Sequence, residues 1–301
     1  MYFYTIIIGL FLLVSCTTRS NDVSFDESED TLQDRSVTIK IDKPIENWYD
    51  KYLASLGYEG KYLEYLDAAY SSFLLNKPKT AISYCNEALS LRQGYEAYGL
   101  KGYILYIQYE ESEEGEKNNY GVRDAAYSSL KEFVATNPNR EDIDFSDYSL
   151  SCYAILHKYC ILCVEKSKFE DALEIANELI AHDSNDEDVM YLLAIIHMKQ
   201  KNYSMAKIWA RKMLSTHQND FDAYYLLSHV EIATGNQKEA IRYLEKCFEI
   251  DNEDPVVLNN LGFIYKNTTT EKEYGIKLLK KAARLGHPLA QMTLSHDNIK
   301  W

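Results

Sequence analysis

His157, Cys160 and Cys163 have the spacing of a soft-metal cluster. Residues three apart on a helix lie on one side of it, and imidazole with two thiolates suits Zn²⁺. Tetrahedral zinc takes four ligands, however, and no fourth donor follows at a matching interval. Both cysteines also fall where a helical repeat needs packing groups, which is their simpler role. The 46 carboxylates are spread over faces expected to meet solvent. No pair among them has the spacing of an acid and its base. No glycine-rich phosphate loop and no nucleophile-plus-base pattern is present, so the chain reads as neither an enzyme nor a metal protein, with no cofactor. The 26 tyrosines are first of all packing residues, rings inward and hydroxyls toward water, as at Tyr65, Tyr98, Tyr159, Tyr224 and Tyr265. A surplus at Tyr58, Tyr62, Tyr70, Tyr95, Tyr103 and Tyr106 leaves open a sticky patch for a partner or a sugar.

The elements that must position these side chains are set by a period. Ala172, Ala206 and Ala240 are 34 residues apart, and Cys160, Ala194, Ser228 and Gly262 keep the same step. One small residue in each of two helices, repeated at that interval, is the mark of a helix–turn–helix array. Between Asp186 and Ser215, apolar residues at Val189, Leu192, Leu193 and Ile196, then at Ala206, Trp209, Ala210 and Met213, have helical spacing. Lys201-Asn202 separates the two runs, and Gly235-Asn236 fills that slot one repeat later. Pro78, Pro138, Pro255 and Pro288 fall where helices start or stop.

These units resemble the tetratricopeptide repeat, whose pattern is W-x₂-L-G-x₂-Y, then A-x₃-F-x₂-A, then P. One unit reads Met190-x₂-Leu193-Ala194-x₂-His197, with Ala206-x₃-Ala210-x₂-Met213 in its second helix. The next reads Tyr224-x₂-Leu227-Ser228-x₂-Glu231 and Ala240-x₃-Leu244-x₂-Cys247. Leu258-x₂-Leu261-Gly262-x₂-Tyr265 is the best copy, and is followed by about one extra residue near Thr268-Thr269-Thr270. Its end, Lys280 to Gln291, is similar to a Sel1-type repeat, with the next helix packing through Ala290. Looser copies carry Ala68-Ala69 with Ala81, Cys85 and Ala88, and Gly102 with Ala126, Leu130 and Phe133. The implied fold is an all-α solenoid of five to six units over 46–301. It comprises a cap helix (46–61), two divergent repeats (62–139) holding an acidic insertion at 110–121, four regular repeats (153–289) and a C-terminal cap (290–301). An acidic connection, 139–151, joins the two blocks.

In such arrays the first helix of each unit lines a concave groove. The matching positions are His157, Tyr191, Tyr225 and Asn259 in one row, and Ile161, Ile195, His229 and Phe263 in the next. A third row holds Val164, Met198, Ile232 and Lys266, with Asp188 and Asp222 at an acidic lip. The resemblance implies a groove for an extended or helical peptide with apolar anchors, unless the chain fills the groove itself. The family's carboxylate-clamping variant does not fit, because Asp188, Asp222, Leu192 and Leu226 stand in the clamp positions of the central units. Lys158 and Asn260 match the clamp type but lie three units apart. A different class of reading stays open: a curved array enclosing a small-molecule site, as in an accessory lipoprotein of a transport system.

The first residues form a separate object. Thr5–Val14 is almost wholly apolar and too short to span a bilayer. It ends in Leu13-Val14-Ser15-Cys16, which resembles the bacterial lipoprotein signal, although no Lys or Arg precedes the apolar run. The resemblance implies a signal peptide at 1–15 and a lipid-modified Cys16 anchoring the protein to a membrane of the cell envelope. Thr17, where an Asp would signal inner-membrane retention, directs the expectation to the outer membrane. Residues 16–45 are rich in Ser, Thr, Asp and Glu and read as a solvated tether reaching roughly 30 Å. The net charge of −14 excludes nucleic acid as a partner and favours a basic or polar one. Together these features imply a membrane-anchored scaffold for a protein or peptide, similar to tetratricopeptide lipoproteins that serve as pilus pilotins, barrel-assembly components or hydrolase adaptors.

Overall fold

Alternation of a helix, a tight turn and a second helix accounts for nearly all of the structure. The computed structural model describes residues 58–112, 120–144, 149–268 and 270–301. They hold thirteen helices. The pairs are α1 (Tyr58–Leu74) with α2 (Pro78–Leu91), α3 (Tyr95–Glu111) with α4 (Tyr120–Thr136), and α5 (Cys152–Glu165) with α6 (Phe169–His182). Then come α7 (Glu187–Lys199) with α8 (Tyr203–Thr216), α9 (Phe221–Ala233) with α10 (Gln237–Ile250), and α11 (Pro255–Thr268) with α12 (Lys272–Arg284). A last helix, α13 (Pro288–His296), follows alone. The fold is an all-α solenoid.

The small residues mark the crossings. Cys160, Ala194 and Ser228 are fully buried, as are their counterparts Ala172 and Ala240, and Ala206 nearly so. A Cβ on Gly262 would lie 2.8 Å from the Gly275 carbonyl oxygen and 2.9 Å from the Leu279 nitrogen, so α11 and α12 touch backbone to backbone. Gly275 stands 35 residues after Ala240 rather than 34, which absorbs the extra residue of that unit. Between these crossings Leu193, Leu227 and Leu261 are 0–1% exposed, and each burial contributes about 1.5–3 kcal/mol.

The helix ends repeat as faithfully as the core. Asp186, Asp220 and Asp254 accept hydrogen bonds from Val189 N (2.9 Å), Ala223 N (2.6 Å) and Val257 N (2.7 Å), capping α7, α9 and α11. At the other end Ser167, Lys201 and Gly235 adopt φ of 57°, 61° and 80°. Each closes its helix with a six-residue return bond, Lys168 N to Cys163 O, Asn202 N to His197 O and Asn236 N to Glu231 O, at 2.7–2.8 Å.

Several boundaries differ from the sequence expectation. Helix α1 begins at Tyr58, so residues 58–61 belong to the first repeat's helix; the rest of the expected cap, with the leader, Cys16 and the tether, lies outside the described residues. Helix α3 runs through Glu111 and α4 starts at Tyr120, so helix claims both ends of the 110–121 insertion. The 139–151 connection holds a short antiparallel hairpin, β1 (Ile143–Asp144) with β2 (Ser149–Leu150). Ile143 is fully buried there, and Gly99 makes room for it and for Phe133. Helix α13 starts at Pro288, with His287 as its N-cap accepting from Ala290 N at 3.3 Å, so the last boundary precedes residue 290. None of the described helices is long and apolar enough to cross a membrane.

Candidate functional site: the inner face of the first helices

Successive first helices touch one another, α1 with α3, then α5, α7 and α9 in turn, whereas successive second helices do not to a comparable degree. The first helices therefore form the inner side of the curve. The expected groove residues all lie on the first helices α5, α7, α9 and α11, and differ in burial. His157, Ile161, Tyr191, Met198, Tyr225 and His229 are half-buried. Phe263 is the most open, at 38% exposed. Ile195 and Asn259 are buried, at 4% and 6%, and serve as floor. The Asn259 amide donates to Asn260 Oδ1 at 3.2 Å. At the lip Asp188 is exposed and Asp222 half-buried.

The centre of this face is a ring cluster. Tyr225 stacks on Phe221, with centroids 6.0 Å apart, and meets the edge of His229 at 4.4 Å. Burial, and after it the charge of Asp254 and the neighbouring Tyr191, pushes the Tyr225 hydroxyl far up, so it stays protonated. Burial and the nearby Lys199 push His229 down to about 4, so its imidazole is neutral at physiological pH. His157 is likewise held down, by burial and by Lys158. The surface thus offers aromatic edges and neutral polar groups between apolar side chains, with negative charge at one rim.

The metal-like triplet does something else. Cys160 and Cys163 are fully buried, and burial pushes both thiols up to about 12. The Cys160 thiol donates to the Ala172 carbonyl at 3.4 Å, across the α5–α6 crossing. Such thiols stay protonated and pack in the core. Among the described residues no group of three His, Cys, Asp or Glu could hold an ion. At the C-terminal end α13 packs as the first helix of a further unit would. Ala290 and Leu294 are buried in the core of the last repeats, and Asp297 forms an ion pair with Lys266 of α11.

The rows expected from the sequence begin at α5, and α1 and α3 carry aromatic residues at the equivalent steps. Stepping from Ala69 and Gly102, the small residues of α1 and α3, places Tyr70 and Tyr103 in the second row and Phe73 and Tyr106 in the third. Phe73 and Tyr103 meet edge to face at 6.3 Å. The anchors were present in the sequence, but irregular unit lengths hid the step between them.

Comparison with known proteins agrees with this geometry. A family model described as anaphase-promoting complex, cyclosome, subunit 3, matches residues 165–247. No curated protein sequence matches the chain at a significant level. Among solved structures, YrrB, described as a TPR protein with an unusual peptide-binding site, is 14% identical, with a TM-score of 0.56 over 70% of this chain and 96% of its own. A tetratricopeptide repeat protein from Parabacteroides merdae is 16% identical, with a TM-score of 0.52 over 78% and 97%. Pseudomonas aeruginosa pilF is 12% identical, with a TM-score of 0.52 over 80% and 100%. With its 34-residue helix pairs, its small-residue crossings and these structural neighbours, the chain is a tetratricopeptide-repeat protein in fold.

Proposed function

We propose that the chain is a non-catalytic scaffold that holds a protein or peptide partner against the inner face of α5, α7, α9 and α11. The observation that carries this reading is the row of half-buried Ile161, Tyr191, Met198 and Tyr225 beside open Phe263. A soluble surface exposes such a row when another chain covers it, and alternating anchors suit an extended or helical peptide. YrrB, similar in fold, is described as having a peptide-binding site, which supports a peptide as the kind of partner. Lipid on Cys16 would hold the scaffold at a membrane of the bacterial envelope, on the outer-membrane side given Thr17, with the acidic tether setting its reach. Several acyl chains at about 0.8 kcal/mol per buried CH₂ make such an anchor stable.

The test is partner capture by crosslinking in cells. Tyr191→Ala with Tyr225→Ala is expected to abolish capture while far-UV circular dichroism keeps its helical signal. Retained capture by a folded double variant removes this face from consideration, and recovery of a small molecule in place of a protein favours the transporter-accessory reading. Cys16→Ala is expected to move the protein from the membrane fraction to the soluble one; continued membrane attachment would sink the anchor.

A further inference from the structure

At the N-terminal end of the inner face, aromatic rings gather around a carboxylate. Tyr70 and Phe73 lie three apart on α1, and Tyr103, Tyr106 and Glu110 follow one face of α3. The Phe73 and Tyr103 rings are perpendicular, 84° between planes, with centroids 6.3 Å apart. The Tyr106 hydroxyl donates to Glu110 Oε1 at 3.3 Å, which fixes the carboxylate at the rim of the ring cluster. Glu110 itself is exposed and forms no ion pair among the described residues. Burial, then the charge of Glu110, then Tyr70 raise the Tyr103 hydroxyl, keeping its ring neutral.

The chemistry of such a cluster is to attract a cation. Aromatic faces carry negative charge, and an ammonium or guanidinium within about 6 Å of a ring centroid is stabilised by it. The molecule already uses this one turn along the same helix: Tyr106 is buried, at 4% exposed, and its ring carries Lys158 Nζ from α5, 5.0 Å from the centroid, so it serves the cluster by holding Glu110. No lysine or arginine among the described residues lies over the Tyr103 ring. Sequence charge points the same way. Glu110 and Glu111 are followed by Glu113, Glu114 and Glu116, with Lys117 the lone base before Tyr120, in a chain of net charge −14. Such a concentration of negative charge raises the local concentration of a basic partner before contact.

We propose that Tyr70, Phe73 and Tyr103, with Glu110 held in place by the buried Tyr106, form a cation-accepting cradle that receives a lysine or arginine side chain of the bound polypeptide. For the source of the cation it rests on the scaffold reading above; for the cradle itself it does not. The partner is then basic at one end, over α1 and α3, and apolar where it crosses α7 and α9.

The test is nuclear magnetic resonance of the full chain in detergent, with ¹³C-labelled tyrosine rings. The probes are acetyl-Gly-Gly-Lys-Gly-Gly-amide, the same peptide with norleucine for lysine, and tetramethylammonium chloride. The lysine peptide is expected to shift the Tyr70 and Tyr103 ring signals saturably, and the norleucine peptide to leave them in place. Glu110→Gln, an exposed change that spares the fold, and Tyr103→Leu are each expected to weaken the lysine peptide by about threefold or more, whereas Glu249→Gln on α10 leaves it unaltered. Equal shifts from norleucine, unchanged affinity in both cradle variants, or tighter binding of tetramethylammonium than of the lysine peptide would overturn the proposal. Failure of the Tyr191 and Tyr225 test leaves these outcomes untouched, so the two readings fail separately.

Discussion

His229 shows what the inner face does to a single group. Its ring lies 4.4 Å from that of Tyr225, and burial with the charge of Lys199 pushes it down to about 4. An unfolded histidine titrates near 6.5. Between those values the unfolded chain takes up a proton that the folded one refuses. The stability supplied by neutral His229 is therefore complete above about pH 6.5 and is lost as pH falls toward 4. The loss is on the order of 3 kcal/mol when the whole window is crossed. His157 has the same sign of shift and adds to the slope. Denaturant midpoints measured from pH 7 to pH 4.5 should fall steadily in the parent and less steeply in His229→Gln. Identical slopes would mean that the imidazole charges in place without cost.

Helix ends carry the next level of information, and two of their changes have opposite expected signs. Lys201 ends α7 at φ 61°, where its neighbour one repeat on is Gly235. A left-handed residue with a Cβ costs about 1–2 kcal/mol, partly offset by the greater freedom of glycine in the unfolded chain. Lys201→Gly should therefore raise stability by about 0.5–1 kcal/mol, read as a higher denaturant midpoint. Asp220 is 5% exposed and holds the Ala223 nitrogen at 2.6 Å. Asp220→Ala should cost about 1–2 kcal/mol, since α9 then starts with an unmet donor in a buried place; a change within error would show the cap to be ornamental. These ends also show what a sequence conveys. Lys201-Asn202 and Gly235-Asn236 stand as turns between apolar runs, because breaking residues are local signals. The Asp186, Asp220 and Asp254 caps share the period of the alanines, yet aspartate in an acidic chain looks like solvent-facing charge until its hydrogen bond is seen. Glu231 is the sharper case. It occupies a core position of its repeat, and only the structure shows Lys207 Nζ at 2.7 Å and Asn236 Nδ2 at 2.8 Å satisfying it. Burial alone would raise its carboxyl, and those partners hold it below the usual range instead.

A solenoid distributes stability along its length, because each repeat meets only its neighbours. The period of small residues is a property of backbone crossings, so the fold could be read before any coordinates. The cradle on α1 and α3 could not, because units of unequal length break the step, and neither could the exposure of each groove residue, which depends on how far one first helix slides past the next. In three dimensions the buried core falls into stretches: one runs from α3 to Leu227 of α9, and another from Ala240 of α10 to Leu294 of α13. Helix α9 is the seam, with Leu226 and Leu227 in the first and Tyr224 and Tyr225 packed on the second. Gly275→Ala tests whether the seam is also an energetic one. Its Cβ would lie 2.7 Å from the Gly262 carbonyl oxygen and 2.9 Å from the Lys266 Cα, contacts that α11 and α12 can relieve only by moving apart. The expected cost is about 1–3 kcal/mol, confined to the second stretch. Hydrogen exchange should show α11, α12 and α13 losing protection while α5 to α8 keep theirs, and Phe263 on the inner face should lose order with them. Equal loss over both stretches would mean that the array unfolds as one cooperative body, in which case a partner gripping α7 and α9 would stabilise the C-terminal helices as strongly as its own contacts.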